Sequence, residues 1–486
     1  MAEQPNRLSA GARWSMLDNL AQQVLSFLVF MVLARFVAPQ DFGLIAIAHV
    51  MVTFVRQTLF SAISLPITRV TTPSDLLYSW AFWICVLIAV LMSIAMLAGA
   101  GPISRLYAQP DLAPVLSWMT VVVLTTGMAA IYEARLMRQM AFKPLAIRSI
   151  VSVTIGGAVG IFLAFRGAAV FALIAQQVIT NCVGLLLLVG QSRWLPQIKL
   201  RGVDAGEVLS LAPRVGMTGL FGFLASQGDT VLVSVLLGSY ATGIYSFAKR
   251  LTSAVYLVIG SSLLKLALPA FTEAGKTPEA LRNVYLRISG TTLFLMVPLL
   301  AGMSVLAKPM ITLFFGVAWS PAAPVVALLA MLYVFLAINQ VNDHLMIAVG
   351  TPSVPMMRGL VHTGLSLMLG WLFSALGLGL SWTAVGFVLA GAIVWPWSQL
   401  LANRRMNLSA MKLASAMKSP AMATLTMMAF LLVSNKYAPV NVLAFIAIVI
   451  GGAIIYLLTH FFVMKVWPHS YDALSDLLHR RGIARP

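Results

Sequence analysis

Charge is what this sequence lacks most. Only 9% of its residues are charged, against about 25% in soluble domains. Acidic side chains are the scarcer kind, 14 Asp and Glu against 32 Lys and Arg. A chain this poor in charge is not a cytosolic enzyme, a secreted domain or a disordered scaffold. Cysteine is nearly absent as well: Cys85 and Cys182 both lie in apolar runs, which argues against a disulfide framework. No Gly-x-x-x-x-Gly-Lys-Ser/Thr loop is present, so the chain is not itself a nucleotide-driven pump. The six histidines (49, 344, 362, 460, 469 and 479) form no His-x-x-x-His pair and join no cysteine at ligand spacing, so neither a metal site nor a cofactor is expected. Residues 1–14 are polar and basic with no short apolar core behind them, which predicts no cleaved signal peptide.

What is present is apolar length. Of 486 residues, 60% are hydrophobic, and the mean hydropathy of +0.93 is spread along the whole chain. Stretches of about 20 apolar residues read as membrane helices rather than barrel strands. The fold class expected is therefore an all-α polytopic membrane protein. The apolar runs suggest fourteen spans: 15–37, 42–65, 76–100, 112–132, 145–165, 168–190, 208–237, 241–268, 284–307, 322–348, 354–376, 380–400, 420–435 and 441–464. Turn chemistry separates them, as in Ala38-Pro39-Gln40-Asp41 and Gly350-Thr351-Pro352.

The net charge of +18 would suggest nucleic acid in a soluble chain. Here basic residues instead mark cytoplasmic loops, and no nucleic-acid partner is expected. One set of span ends collects Arg135, Arg138, Lys143, Arg193, Arg282, Arg404 and Arg405, while the opposite set holds only Arg105, Arg166, Lys308 and Lys436. Both termini are accordingly expected in the cytoplasm.

An internal repeat runs through the spans. Phe42-Gly43-Leu44 lies over Thr242-Gly243-Ile244 at an offset of 200, and Leu65-Pro66 over Leu268-Pro269 at 203. Pro102 lies over Pro309 at 207, and Pro114 over Pro324 and Arg148 over Arg358 at 210. Six spans followed by six preserve orientation, the parallel-repeat arrangement of some transporters. The expected domains are an N-lobe over 1–195, a C-lobe over 196–405, and an accessory region over 406–486 holding two further helices and a cytoplasmic tail. A short surface helix is one reading of that tail from Pro468 onward.

Ionisable groups inside spans cost about 2.5–3.5 kcal/mol each on insertion scales and therefore need a reason. His49, Thr53 and Arg56 follow one helical face of span 2, with Gln57 beside them. Tyr245, Lys249, Ser253 and Tyr256 repeat that spacing on span 8, with Arg250 adjacent, and His49 falls on Lys249 at the 200 offset. Two equivalent helices thus carry polar, cationic stripes. Asp229 reads either as a counter-ion for Lys249 or Arg250 or as a proton carrier. Glu133 and Asp343 are equivalent at 210 and complete the acidic candidates for ion or proton coupling. Gln176, Gln177 and Asn181 read equally well as helix-packing groups.

Leu33-Ala34-Arg35-Phe36-Val37-Ala38-Pro39-Gln40-Asp41-Phe42-Gly43-Leu44 resembles the LARxLGPxDFGL signature of bacterial polysaccharide transporters. These are the Wzx-type lipid-linked oligosaccharide flippases of the MOP superfamily, which also holds the MATE drug exporters and the lipid II flippase. Asp229, Gly238 and Gly243-Ile244-Tyr245-Ser246-Phe247-Ala248-Lys249-Arg250 resemble the family's D…LLG…GxYxxAxRL segment. Residues 133–143, from Glu133 to Lys143, resemble its basic loop after span 4. The first motif departs at Ala38, where the family usually has glycine, and Thr230 stands where a basic residue often follows the aspartate.

The resemblance implies two six-helix lobes with two accessory helices in the bacterial inner membrane. It implies a flippase, not an enzyme, whose partners are an undecaprenyl-diphosphate-linked oligosaccharide, membrane lipid, and the polymerase and chain-length or export proteins of the same pathway. Arg56, Lys249 and Arg250 would then hold the anionic headgroup, with His49, Gln57, Tyr245 and Tyr256 contacting sugar. A MATE-like antiporter on the same fold would favour an anionic or aromatic cavity. A membrane polymerase or ligase would need a sizeable exterior loop, and the exterior loops here are short.

Overall fold

The structure, a computed structural model, describes residues 4–198, 202–275, 277–437 and 441–466. The expected helix from Pro468 lies outside them. Among the described residues there are helices and turns but no strands. The helices are α1 (Gln4–Phe36), α2 (Pro39–Phe54), α3 (Ser61–Ile67), α4 (Asp75–Leu106), α5 (Leu112–Arg138), α6 (Phe142–Phe165), α7 (Ala169–Ser192) and α8 (Gly206–Ala274). They continue with α9 (Pro278–Val305), α10 (Ala307–Phe314), α11 (Ala323–Ala348), α12 (Ser353–Ala375), α13 (Leu380–Met406), α14 (Ala410–Tyr437) and α15 (Val442–Val466). A π-helical turn, Val55–Phe60, joins α2 to α3.

Local chemistry sets the ends. Ser74 accepts the amide of Leu77 at 3.1 Å ahead of α4, and Thr277 accepts that of Ala280 ahead of α9. Each satisfies an amide that the first helical turn leaves unpaired. Pro39 and Pro278 open their helices, where a missing N–H costs nothing.

Eleven of these helices are long and apolar enough to cross a membrane, so the chain is a multi-pass membrane protein, but the expected count of fourteen is not reproduced. The first expected span offers only Leu20–Phe36 as an apolar helix, and α12 is not among the eleven. Spans 7 and 8, expected at 208–237 and 241–268, are two helices that follow one another through α8, 69 residues in all. At 1.5 Å per residue that is about 100 Å, far beyond a hydrocarbon core of roughly 30 Å. The chain breaks where it must: Gly238 takes φ 78° and ψ −176°, a conformation that glycine adopts without the usual Cβ penalty. The expected short span 420–435 is part of a 28-residue helix, α14.

The chain forms two compact units, residues 1–246 and 247–486. In the first, α4 packs on α5, α5 on α7 and α6 on α7; in the second, α9 packs on α11, α11 on α13 and α12 on α13. The same neighbour order in each is what a duplicated array requires.

In the first unit, repeat-equivalent positions also touch each other. A Cβ on Gly43 would stand 1.8 Å from the carbonyl oxygen of Ser239, and one on Gly243 would stand 1.8 Å from that of Pro39. Pro39 and Ser239, like Gly43 and Gly243, are 200 apart in the sequence, so α2 and the part of α8 after Gly238 cross reciprocally. Small residues permit this backbone approach between membrane helices.

The residues after α7 also belong to this unit. Trp194 is buried among Tyr78, Phe82 and Tyr132, and the Arg135 guanidinium lies 5.2 Å from its ring and 5.1 Å from that of Tyr78. Trp83 Nε1 donates to the Gln197 carbonyl at 2.9 Å, and the Gln197 amide donates to Ser79 Oγ at 3.0 Å. The segment is strapped to the ends of α4 and α5.

In the second unit, α14 and α15 pair with each other, and α14 packs on α9. The Tyr456 hydroxyl of α15 donates to the Phe294 carbonyl of α9 at 2.9 Å. Ser419 Oγ lies 2.8 Å from His460 Nδ1. These contacts fix the accessory pair to α9.

Candidate functional site

In the first unit the cationic stripe begins on α2. His49 and Arg56 are exposed, and Gln57 is half-buried. Arg56 and Gln57 both lie in the π-helical turn, a feature frequent at functional sites. The Gln57 side chain accepts from Ser226 Oγ of α8 at 3.4 Å. The Arg56 side chain makes no hydrogen bond or ion pair among the described residues, so its charge is not consumed by packing.

Asp229 and Tyr245 come together. The Tyr245 hydroxyl donates to Asp229 Oδ2 at 2.6 Å, while Oδ1 accepts the Thr230 amide at 2.7 Å and its hydroxyl at 3.2 Å. Tyr245 is fully buried. In this conformation its polar end is directed at a carboxylate rather than presented to a ligand.

In the second unit Lys249 is half-buried and Arg250 exposed. Tyr256 is half-buried, and its hydroxyl donates to Gln340 Oε1. Its ring lies 5.1 Å from that of Tyr333, tilted by 49°.

The remaining acidic candidates hold equivalent ion pairs. Arg148 donates through a guanidinium nitrogen to Glu133 Oε1. Arg358 binds Asp343 at two points, Nε to Oδ1 at 2.8 Å and a terminal nitrogen to Oδ2 at 2.6 Å. The separation is 15 residues in both cases, and the pairs link α5 to α6 and α11 to α12. Glu133→Ala is expected to destabilise the protein by about 2 kcal/mol, the range for hydrogen bonds to charged groups. Glu133→Arg combined with Arg148→Glu should recover most of that loss, as thermal unfolding in detergent would measure.

Sequence reading missed these arginines as partners. Arg148 and Arg358 had already marked the repeat at offset 210, and the matching spacing of 15 to Glu133 and Asp343 was the available signal. It also missed a buried network in the second unit. The Tyr285 hydroxyl donates to Asn342 Oδ1 at 2.7 Å, and Gln399 Nε2 donates to Tyr285 at 2.8 Å and to Asn403 at 3.0 Å. In the first unit Asn181 of α7 donates to the Gln177 carbonyl at 2.9 Å and accepts from Thr126 Oγ1 of α5 at 3.5 Å, in keeping with a packing role.

The second unit also contains an apolar groove of about 420 Å³, whose walls include Phe294, Leu299, Met303, Leu431, Phe445 and Tyr456. The α9 wall runs from Phe294 to Met303, about 14 Å at 1.5 Å per residue. Val255 of α8 lines it too, and the next residue, Tyr256, belongs to the polar cluster. One helix therefore borders an apolar surface and a polar one at adjacent residues.

Comparison with known proteins gives three kinds of likeness. The chain is 28% identical over 326 residues to the succinoglycan biosynthesis transport protein ExoT of Rhizobium meliloti, covering 65% of this chain and 64% of that protein. The alignment thus spans somewhat less than two thirds of ExoT. It is 22% identical over 385 residues to the teichuronic acid biosynthesis protein TuaB of Bacillus subtilis, covering 76% of this chain and 79% of TuaB. Among solved structures, the lipid II flippase MurJ in an inward closed conformation shares the fold with a TM-score of 0.75 at 16% identity, over 93% of this chain and 99% of that one. An inward-facing multidrug MATE transporter of the MOP superfamily aligns with a TM-score of 0.63 at 14% identity, over 80% of this chain and 94% of that one. The sequence model of the polysaccharide biosynthesis protein family matches residues 32–324, more than half of the chain, and the protein belongs to that family.

Proposed function

We propose that the protein is a flippase for undecaprenyl-diphosphate-linked oligosaccharide repeat units, moving them from the cytoplasmic to the periplasmic leaflet of a bacterial inner membrane. Both termini would lie in the cytoplasm, as the lysine and arginine distribution favours. The observation that carries this reading is the change of environment along α8, where Val255 lines the apolar groove and Tyr256 bonds to Gln340. A lipid-linked sugar is an amphiphile with this same change of character along its length. The groove suits a polyprenyl chain, since burying apolar surface is favourable by roughly 25 cal/mol per Å².

The headgroup would engage Arg56, Lys249 and Arg250 through charge-assisted hydrogen bonds to the diphosphate. His49, Gln57, Tyr245 and Tyr256 would face sugar during the cycle, which for the buried Tyr245 requires a conformation that releases Asp229. Transport would proceed by alternating access, with the N-lobe over 1–195 and the C-lobe over 196–405 as moving parts. Coupling to an ion or proton gradient would fall to Asp229, Glu133 or Asp343. The product would pass to the polymerase and chain-length or export proteins of an exopolysaccharide, capsule or O-antigen pathway. A MATE-like antiporter on the same fold is the second reading, and the exposed cations Arg56 and Arg250 disfavour organic cations as substrates.

The test uses vesicles reconstituted with the protein and a fluorescent polyprenyl-diphosphate oligosaccharide in both leaflets. A membrane-impermeant quencher is expected to remove about half of the signal without protein and nearly all of it with protein. Quenching that stays at half with correctly folded protein, over a panel of headgroups, would reject the flippase and direct attention to cationic substrates.

A further inference from the structure

The two ion pairs give the halves of the chain a common scaffold, and side chains around that scaffold differ sharply. At the 210 offset, Gln340 and His344 stand where the first half has Ala130 and Ala134, and Tyr333 where it has Val123. At the 200 offset of the stripes, Tyr256 stands where the first half has Arg56. The first unit forms its Glu133–Arg148 pair with Val123, Ala130, Ala134 and Arg56 at the equivalent positions, so the fold does not require two phenols, an amide and an imidazole at these places. Polar groups within membrane helices are costly and tend to mark functional positions.

The second unit assembles these groups. Tyr256 donates to Gln340 Oε1, and the Tyr256 and Tyr333 rings lie 5.1 Å apart. His344 Nδ1 lies 2.7 Å from the Gln340 carbonyl. Asp343, paired with Arg358, stands three residues from Gln340 on the same face of α11. All six side chains are half-buried, so the cluster is neither sealed in the core nor fully solvated. The Gln340 amide nitrogen has no protein partner among the described residues, leaving two donor hydrogens. Each Asp343 oxygen accepts one bond from Arg358 and keeps further acceptor capacity.

Bidentate pairing of Asp343 and Arg358 makes this cluster nearly neutral, unlike the cationic stripe on α2. A diphosphate would gain little here. Aromatic faces, a planar amide, and a fixed carboxylate beside a guanidinium instead match a ring with one apolar face and several neighbouring hydroxyls. We propose that Tyr256, Tyr333, Gln340, Asp343 and Arg358 form a subsite for a pyranose ring. That this ring belongs to a transported headgroup rests on the flippase reading above; binding of the ring does not. At these equivalent positions the halves have thus diverged, the first carrying Arg56 and the second Tyr256 within a sugar platform, beside the cations Lys249 and Arg250 of the same unit.

The test is saturation-transfer NMR on the full-length protein in detergent with a mixture of methyl glycosides of glucose, galactose, mannose, rhamnose and glucuronic acid. Ring protons of at least one glycoside are expected to receive saturation from the natural protein and from a Lys436→Ala control. Tyr333→Leu combined with Gln340→Leu should weaken the transfer roughly five- to tenfold, the equivalent of one lost hydrogen bond of about 1–1.4 kcal/mol. Tyr256→Phe, which removes a single oxygen, keeps the test decisive if the double variant does not fold; it should weaken transfer about threefold, corresponding to the lower part of the same range. No transfer from any glycoside to natural folded protein, or equal transfer in the folded variants, would overturn the subsite. Failure of lipid flipping with glycoside binding intact would remove the flippase reading and leave the subsite standing.

Discussion

Replacing Arg56 by alanine is expected to slow transbilayer movement of the lipid-linked oligosaccharide roughly ten- to a hundredfold, as a charge-assisted hydrogen bond contributes about 1.5–3 kcal/mol. Folding should survive, because Arg56 is exposed and holds no neighbour in place among the described residues. Adding Lys249→Ala should reduce movement to the protein-free rate. Arg56→Lys should retain part of the activity, since a point charge still attracts phosphate but cannot offer the planar fork of a guanidinium. The vesicle quenching assay reads all three variants. Undiminished movement in the double variant would show that the cationic stripes do not bind the headgroup.

The second large effect is expected at Gly43. Its Cα approaches the Ser239 carbonyl so closely that an added Cβ would lie 1.8 Å away, with the amide nitrogen of Gly243 at 3.0 Å. The obstructing atoms are backbone, so no rotamer change relieves the clash, and α2 must separate from α8. Overpacking usually costs about 1–3 kcal/mol; Gly43→Ala should reach the upper part of that range and Gly43→Val exceed it. The contact is reciprocal, with Gly243 equally close to Pro39, so Gly243→Ala should match Gly43→Ala. Thermal unfolding in detergent is the measurement. A midpoint unchanged in either alanine variant would show that the helices do not cross as closely as described.

The helical membrane fold was legible because hydrophobic length is a one-dimensional signal. Nearly every expected span has a helix at its place, including α9, α11 and α15. The count was less legible. The first expected span and α12 fall short of a full apolar crossing, whereas the break at Gly238 stood in the sequence as the gap between spans 208–237 and 241–268. The repeat was legible through Gly43 and Gly243, and the structure gives those matches a physical reason, since the equivalent glycines lie against each other.

Site chemistry was legible only as residue type and periodicity. Tyr245 shares a helical face with Lys249, yet it is buried against Asp229, because periodicity does not say which neighbouring helix covers a face. Glu133 and Asp343 were legible as acids within spans, but not their pairing with Arg148 and Arg358, on adjacent helices 15 residues further along. Gln340 carried no motif, and its significance emerges only from the hydroxyl of Tyr256, 84 residues away.

The strap at Trp194 bears on how this chain could be divided into fragments. The end of α7 at Ser192 is the obvious place to split the gene, yet it would separate an indole from the aromatic pocket it fills. Tyr78, Phe82 and Tyr132 would lose their common neighbour, and Arg135 one of its two ring contacts, while keeping its carboxylate partner Asp75. The end of a membrane helix and the end of a folding unit are thus different places here. Two separately expressed pieces would reassociate best if the first retained Trp194 and Gln197, so that the fragment boundary followed packed surface rather than bilayer thickness.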